Sequence, residues 1–459
     1  MLFHTWHFLI FFGVVYGVYR WLRRTRFSLY WLLAASYFFY GWWNPAFLLL
    51  ILYATAVNFF AVVLMERSRR KKLWLAVGLG GALAPLVYFK YANFILTSLN
   101  ALLARWGLPA HLPAPAAFLP VGISFFTFQA MSYTIDVYRG HLPREPSFLR
   151  FATFVALFPQ LVAGPIERAA NLLPQLTGEP KAASRADIAE GLSLFLVGLF
   201  KKVALADYLA LYVDPIYADP GRCDGLTLAL ATFAFSWQIY FDFSGYTDMA
   251  RGVGKILGFE FRLNFNNPYC ATSLRDFWNR WHISLSTWFK DYVYIPLGGN
   301  RRGPFNTYKN MFLTMLISGL WHGAAWTFVL WGFLHAVGRC LTREWESTAF
   351  YREKVPRLVK QLAVFSFVTF GWIFFRAHSL ADAWLIVQKI FQGSLADPRF
   401  PVAMLALCLS VWLYQFLFES PARGLLARAP LRVGVAFYMV CHLLLFTGAS
   451  NQPFVYFQF

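Results

Sequence analysis

Residues 46–64 read AFLLLILYATAVNFFAVVL, a run of 19 residues without a charged side chain. A helix of this length rises about 28 Å, because each residue adds about 1.5 Å. That rise is close to the hydrocarbon thickness of a bilayer, which is about 30 Å. The run therefore predicts a membrane-spanning helix and places the chain among membrane proteins.

Similar apolar runs recur along the chain, near residues 6–22, 28–43, 73–89, 93–104, 150–166, 188–213, 226–247, 311–338, 358–375, 402–418 and 432–449. Hydrophobic residues make up 58% of the chain and charged residues 14%, against roughly 45–50% and about 25% in soluble domains. This composition excludes a disordered chain and an ordinary soluble enzyme. We expect an all-α polytopic membrane protein with about ten to twelve transmembrane or re-entrant helices, in a single integral-membrane domain over residues 1–459.

The chain is basic, with 41 Lys and Arg against 22 Asp and Glu and a net charge of +19. Cytoplasmic loops of membrane proteins collect Lys and Arg, and we expect this bias to explain the charge. No basic stretch is interleaved with aromatic residues outside an apolar run, so nucleic acid is not an expected partner. The five cysteines form no CxxC pair, and the sequence supports neither a disulfide scaffold nor a metal cluster.

Charges around the first apolar run predict its orientation. No Lys or Arg precedes this run. Four arginines lie at its C-terminal end or just after it: Arg20, Arg23, Arg24 and Arg26. A cleavable signal peptide has the reverse order. We therefore expect the first helix to stay in the membrane with its N-terminus outside the cytoplasm.

One region, Cys270 to Gly303, breaks the membrane pattern and reads CATSLRDFWNRWHISLSTWFKDYVYIPLGGNRRG. A spanning helix would not turn so many charges toward lipid. Written as a helix, the region has an apolar face made of Trp278, Trp281, Ile283, Leu285 and Trp288. The pattern indicates an amphipathic helix that lies in the interface or turns its polar side into the protein. A surface helix without a chemical role is an equal alternative.

The apolar run Met311–Val337 has no charged side chain apart from its histidines. Gly319 and Gly323 are four residues apart on one helical face and would permit close contact with another helix. A histidine in an apolar span needs a hydrogen-bond partner in a neighbouring helix or a chemical role, so His322 is a candidate functional residue. His335 would lie about 140° round the same helix, and we expect it at the helix end.

Three further features interrupt apolar stretches. Asp242 is a carboxylate among apolar aromatic residues, which makes it a functional candidate that needs a cationic or hydroxyl partner. Lys201 and Lys202 are expected to extend their ammonium groups to the interface. Gly164-Pro165 cannot continue a helix, and a break at membrane depth must pack on protein or line a cavity.

Two tryptophan–histidine motifs carry a resemblance to a known family. Residues 278–282 read WNRWH, and residues 321–324 read WHGA. With their spacing, these motifs resemble the membrane-bound O-acyltransferase (MBOAT) family, and within it the bacterial alginate O-acetylation proteins. Further matches cover nearly the whole chain, with the core at about residues 120–340: SYFFY at 36–40, MSYTIDVYR at 131–139, AGPI at 163–166, YFDFSGY at 240–246, YIPLGG at 294–299, FFRA at 374–377 and PFVYFQF at 453–459.

The resemblance implies a multi-helix funnel with interfacial helices and a reacting histidine near its membrane-embedded neck. The family's catalytic histidine falls on His322, and its second histidine falls on His282. Five residues would support the site by positioning the donor or the acceptor: Trp278, Arg280, Trp281, Trp321 and Asp242.

The resemblance also implies an activity and its partners. The enzyme would pass an acetyl group from a cytoplasmic acyl thioester, acetyl-CoA or another, to an extracytoplasmic polysaccharide. An alginate-like exopolysaccharide is the first expectation, with peptidoglycan or cellulose as others. The expected location is the bacterial inner membrane, with an SGNH-type acetyltransferase outside the cytoplasm as partner. No permanently bound cofactor and no metal are expected.

Histidine suits this chemistry, because its unperturbed pKa of about 6.5 lies near working pH. His322 would take the proton of an acceptor hydroxyl as that hydroxyl attacks the thioester, or it would carry the acyl group covalently. D-alanyl or lipid acylation by the same histidine is the alternative reaction. A polytopic transporter is the alternative outside enzymes, but the sequence lacks the internal repeat that many transporters have.

Overall fold

The structure is a computed structural model that describes residues 1–108, 112–115, 118–162, 164–178, 181–393 and 398–445. Its regular elements are helices, and the described residues contain no β-strand. The predicted all-α fold class is therefore confirmed. Two of the motifs fall partly or wholly outside the described residues, since these omit Ala163 and residues 453–459.

Contacts divide the described residues into two compact units. Unit 1 contains Met1–Phe195 and Met249–Arg262, and unit 2 contains Leu196–Asp248 and the described residues from Leu263 onward. Two of the three unit boundaries fall within helices, Arg185–Leu199 and Gly225–Leu257, and the third falls between Arg262 and Leu263.

Nine helices of unit 1 precede the first boundary: α1 Trp6–Leu22, α2 Ser28–Gly41, α3 Leu48–Arg67, α4 Lys71–Leu86, α5 Ala92–Arg105, α6 Ile123–Tyr138, α7 Phe148–Ala156, α8 Phe158–Leu161 and α9 Ala169–Thr177. Side-chain caps fix two of their starts, because the first amides of a helix have no partner within it. The Thr5 hydroxyl accepts the Phe8 amide at α1, and the Ser147 hydroxyl accepts the Arg150 amide at α7.

The remaining helices are α10 Arg185–Leu199, α11 Asp207–Ala218, α12 Gly225–Leu257, α13 Leu274–Arg280, α14 Ile283–Phe289, α15 Gly303–His322, α16 Trp326–Ser347, α17 Arg357–Arg376, α18 Leu380–Gln392, α19 Val402–Phe418, α20 Arg423–Leu426 and α21 Ala429–Leu445. A wide π-helical turn, Phe200–Ala206, joins α10 to α11.

Three helical segments among the described residues are long and apolar enough to cross a bilayer: Pro45–Arg67, Lys71–Arg105 and Arg357–Arg376. The first contains the run 46–64 from which the membrane prediction started. Two shorter apolar helices, α19 and α21, have 17 residues each. Because other apolar runs are short or interrupted, the expected total of ten to twelve crossing or re-entrant helices stays a prediction.

The predicted break at Gly164-Pro165 is confirmed, since both residues lie between α8 and α9. Protein groups surround the chain just after it. The Glu167 carboxylate is buried and accepts hydrogen bonds from the Arg262 amide at 2.6 Å and the Asn171 side chain at 2.7 Å.

Candidate active site

The segment around His282 is not the single amphipathic helix that its pattern predicts. Helix α13 ends at Arg280 and α14 begins at Ile283, with His282 between them in the left-handed conformation at φ 43° and ψ 54°. The Ile283 amide donates to the Asn264 carbonyl at 2.9 Å, instead of continuing the helical ladder. This long-range bond breaks the helix and directs the His282 ring into the buried interior of unit 2.

The apolar run 311–338 is also broken, and the prediction of one helix through it is wrong. Helix α15 ends at His322, Gly323 is extended at φ −157° and ψ 148°, and α16 begins at Trp326. Gly319 fulfils its predicted role, because its Cα atom lies next to Gly332 of α16 where the two helices cross. Gly323 has another role, since a Cβ atom there would overlap the ring of Phe328.

Gly323→Ala is expected to lower the free energy of unfolding by about 1–3 kcal/mol, because the added methyl group forces the Phe328 ring to move. Gly80→Ala is the matched control. Gly80 lies in α4 with no atom within 4 Å of an added Cβ, and alanine favours the helix. Thermal unfolding in detergent compares the two variants. Equal midpoints would contradict this account of the helix break.

The two breaks bring the predicted histidines onto one chain of aromatic rings in unit 2. The ring of Trp321 lies 6.0 Å from His282 and 5.1 Å from His322, measured between centroids. His322 in turn lies 5.0 Å from Trp331 and 5.3 Å from Phe375. His322 is only 3% exposed, so a ring at this position is shielded from solvent.

His335 belongs to this cluster, and its predicted place at a helix end is wrong. It lies in the middle of α16, buried, with its ring 4.7 Å from Trp331 and 5.1 Å from Trp278. The expectation failed because it assumed one continuous helix. With the chain broken after His322, α16 folds back on α15 and turns His335 toward the same rings.

Several buried nitrogen atoms in this cluster have no hydrogen-bond partner among the described residues: Nε1 of Trp278, Trp331 and Trp372, and both ring nitrogens of His335. Buried polar groups in folded proteins are nearly always bonded. These atoms are therefore candidates to bind a polar ligand or water.

Arg280 and Trp281 have structural roles that their motif does not indicate. The Arg280 guanidinium pairs with Asp276 at 2.8 Å within α13 and with Glu419 after α19. Trp281 is buried, with its ring 5.1 Å from both Phe265 and Trp372. These contacts hold α13 in place, while Trp278 and Trp321 contact the histidine rings directly.

Asp242 has the cationic partner that its burial requires. Lys202 Nζ lies 2.7 Å from the Asp242 carboxylate and 2.8 Å from the Asp207 carboxylate, and all three side chains are buried. The expectation that Lys202 reaches the interface is therefore wrong, because two carboxylates compensate its charge inside the protein. Lys201 is partly exposed and pairs with Asp248 at 2.7 Å.

A cavity of about 850 Å³ in unit 2 reaches the ring cluster, since its lining includes Trp278. The lining has five basic side chains and no carboxylate among the described residues: Arg275, Lys290, Arg301, Arg339 and Arg343. Because Arg339 and Arg343 pair with Glu346 and Glu344, attraction of an anionic ligand rests on Arg275, Lys290 and Arg301. No motif in the sequence indicates this cavity, because its basic residues come from separate segments between 275 and 343.

Burial lowers the pKa of His282 to about 3, and this residue lies outside the three long apolar segments. Its imidazole is therefore neutral near pH 7. A neutral imidazole offers one donor and one acceptor, which is the form needed to accept a proton.

Comparison with known proteins gives a consistent result. The model of the membrane-bound O-acyltransferase family matches residues 18–387. The chain is 42% identical over 387 residues to a probable alginate O-acetylase of Pseudomonas aeruginosa, covering 83% of this chain and 73% of the relative. It is 36% identical over 395 residues to a peptidoglycan O-acetyltransferase of Helicobacter pylori, covering 80% and 74%. It is 31% identical over 232 residues to a teichoic acid D-alanyltransferase of Bacillus subtilis, covering 47% and 57%.

The first two matches cover most of both chains, and the range of the family model contains both histidine motifs. The apolar helices agree with it, since they indicate a membrane protein. The chain belongs to the membrane-bound O-acyltransferase family and is an O-acyltransferase.

Proposed function

We propose that this enzyme passes an acetyl group from a cytoplasmic acyl thioester across the membrane for O-acetylation of an extracytoplasmic polysaccharide. The observation that carries the proposal is the buried ring chain His282–Trp321–His322, which continues through Trp331 and Trp278 to the basic cavity. An alginate-like exopolysaccharide is the first candidate acceptor, and peptidoglycan or cellulose are others. The names of the O-acetylating relatives support this order.

His322 is the proposed general base. An acceptor hydroxyl attacks the thioester carbonyl, and its proton moves to a ring nitrogen of His322. The new C–O bond then forms as the C–S bond breaks, and the proton passes to the departing thiolate. A covalent route is the alternative, in which the imidazole takes the acyl group first and gives it to the hydroxyl afterwards.

The basic cavity is the proposed donor site. Acetyl-CoA is the first candidate donor, because its phosphates suit a lining that contains Arg275, Lys290 and Arg301. Its acyl end would then approach the rings of Trp278 and His335. Low water access at the buried His335 ring protects the thioester from hydrolysis.

The location and partner are proposed together. A multi-pass protein in the bacterial inner membrane, with its N-terminus outside the cytoplasm, can join a cytoplasmic donor to an outer acceptor. An SGNH-type acetyltransferase outside the cytoplasm would complete the transfer to sugar. D-alanyl or lipid acylation is the second candidate reaction, supported only by the shorter match to D-alanyltransferases.

The proposal predicts acetyl transfer from labelled acetyl-CoA by proteoliposomes that contain the enzyme and its partner. Arg301→Glu is expected to raise the KM for acetyl-CoA about tenfold or more, because it replaces a charge-assisted contact worth about 1.5–3 kcal/mol with repulsion. Arg69→Glu is the matched control, since this exposed residue between α3 and α4 does not line the cavity. Transfer of D-alanyl or long acyl groups without acetyl transfer would contradict the proposal.

A further inference from the structure

Asn264 and His282 meet in the interior of unit 2, and both side chains are completely buried. Asn264 lies 18 residues before His282, on the irregular segment between α12 and α13. Its side-chain oxygen Oδ1 lies 3.2 Å from Nδ1 of the His282 ring. The amide therefore touches one defined nitrogen of the family's second histidine.

The orientation of the Asn264 amide is fixed by a backbone group. The Ser284 amide lies 3.1 Å from Asn264 Oδ1, and a backbone N–H can only donate. The atom that faces Ser284 is therefore the oxygen and not the nitrogen of the amide. The Ser284 hydroxyl donates to the same oxygen at 2.9 Å.

The same oxygen decides which proton the His282 ring carries. An amide oxygen has only lone pairs, so a hydrogen bond with Nδ1 requires an N–H at Nδ1. A neutral imidazole has one N–H, so Nε2 must then be the unprotonated nitrogen. The low pKa of His282, about 3, agrees with a neutral ring at pH 7.

We propose that Asn264 is a positioning residue that holds His282 in the Nδ1–H tautomer, so that Nε2 is the atom that accepts a hydrogen bond or a proton in the acyl-transfer site. Asn264 acts on the backbone as well, because its carbonyl accepts the Ile283 amide and creates the left-handed turn at His282. One residue therefore sets the direction of the ring and its protonation pattern. The tautomer stands on geometry alone, and only its use in acyl transfer rests on the proposed function.

The ring contacts of His282 in the described residues include three uncharged aromatic side chains. These come from Phe243 of α12 at 4.6 Å, Phe265 beside Asn264 at 6.4 Å and Trp321 of α15 at 6.0 Å. None of these rings titrates in the working range of the enzyme. A carboxylate at position 264 would place a negative charge directly beside Nδ1 of this ring.

The first test is the ¹⁵N spectrum of the full-length protein in nanodiscs with labelled histidine, where His282→Gln identifies the His282 signals. We expect a protonated Nδ1 and an unprotonated Nε2 at pH 7. A protonated Nε2 with a bare Nδ1 overturns the proposal. This measurement does not depend on activity, so a failure of the proposed function would leave it interpretable.

The second test is Asn264→Asp, which keeps the shape and the acceptor role toward Ser284 but adds a negative charge next to Nδ1. The charge favours the imidazolium, so the titration profile of His282, followed by the same ¹⁵N signals, should move up by about one to three pH units. Asn266→Asp is the control, because it adds the same charge at an exposed position two residues away. Equal profiles for Asn264→Asp and the control overturn the proposal.

Discussion

His322→Ala is expected to lower the rate of acyl transfer by about 10²–10⁴-fold, which is the usual contribution of a general base. The loss follows from position, because the His322 ring is buried between Trp321, Trp331 and Phe375. The variant should still reach the membrane, since close packing of α15 on α16 occurs at Gly319 and Gly332. The measurement is acetyl content of the polysaccharide, normalised to enzyme in the membrane fraction.

Two further variants make this result specific. His378→Ala removes an exposed histidine of the same unit and should leave the rate unchanged. His322→Gln keeps hydrogen bonding but cannot transfer a proton in the same way, so it should lose activity like the alanine variant. If the His322→Gln variant kept the wild-type rate of polysaccharide acetylation, the result would support the transporter alternative. Retention of more than about a tenth of the rate in His322→Ala would contradict the role as base.

Lys202→Met is expected to lower the free energy of unfolding by about 3–5 kcal/mol, because removal of one partner leaves buried carboxylates without their cation. The ammonium group lies within 2.8 Å of Asp207 and 2.7 Å of Asp242, and each of these side chains is no more than 4% exposed. Unfolding of the purified protein in detergent, followed by tryptophan fluorescence, measures the change.

Lys201→Met is the matched control for this prediction. The side chains of Lys201 and its partner Asp248 are 21% and 16% exposed, so water screens part of their charge. A smaller loss in the free energy of unfolding is therefore expected. A triple variant, Lys202→Met with Asp207→Asn and Asp242→Asn, should regain part of the stability because no charge is then left unpaired. Equal stability of the Lys201 and Lys202 variants would show that burial does not set the strength of this cluster.

Local sequence patterns located the helices well. The uncharged run 46–64 lies inside the Pro45–Arg67 segment, and the run 6–22 has the bounds of α1. These predictions succeeded because a bilayer requires about 20 apolar residues in a row, a property that any short window reveals. The partner predicted for Asp242 was also confirmed, because an uncompensated carboxylate in an apolar interior is too costly to persist.

The helices predicted from periodicity are wrong at the two places that form the site. The regions around His282 and after His322 have residues that suit a helix, yet both are broken. At His282 the break comes from Asn264, a residue outside the helix pattern. After His322 it comes with the packing of Gly323 against Phe328. A short window of sequence does not show the contacts, with Asn264 and with Phe328, that make the broken helix more stable than a continuous one.

Membrane residence, the all-α class and the two histidine motifs can be read from the amino-acid order, because hydropathy and motif spacing are local properties of the chain. The three-dimensional fold was needed to show that His282, His322 and His335 share one chain of rings, that Lys202 is buried between two carboxylates and that five basic residues line one cavity. These arrangements depend on hydrogen bonds, ion pairs and ring contacts between residues far apart in the chain. Their free energy is gained only when folding brings both partners together.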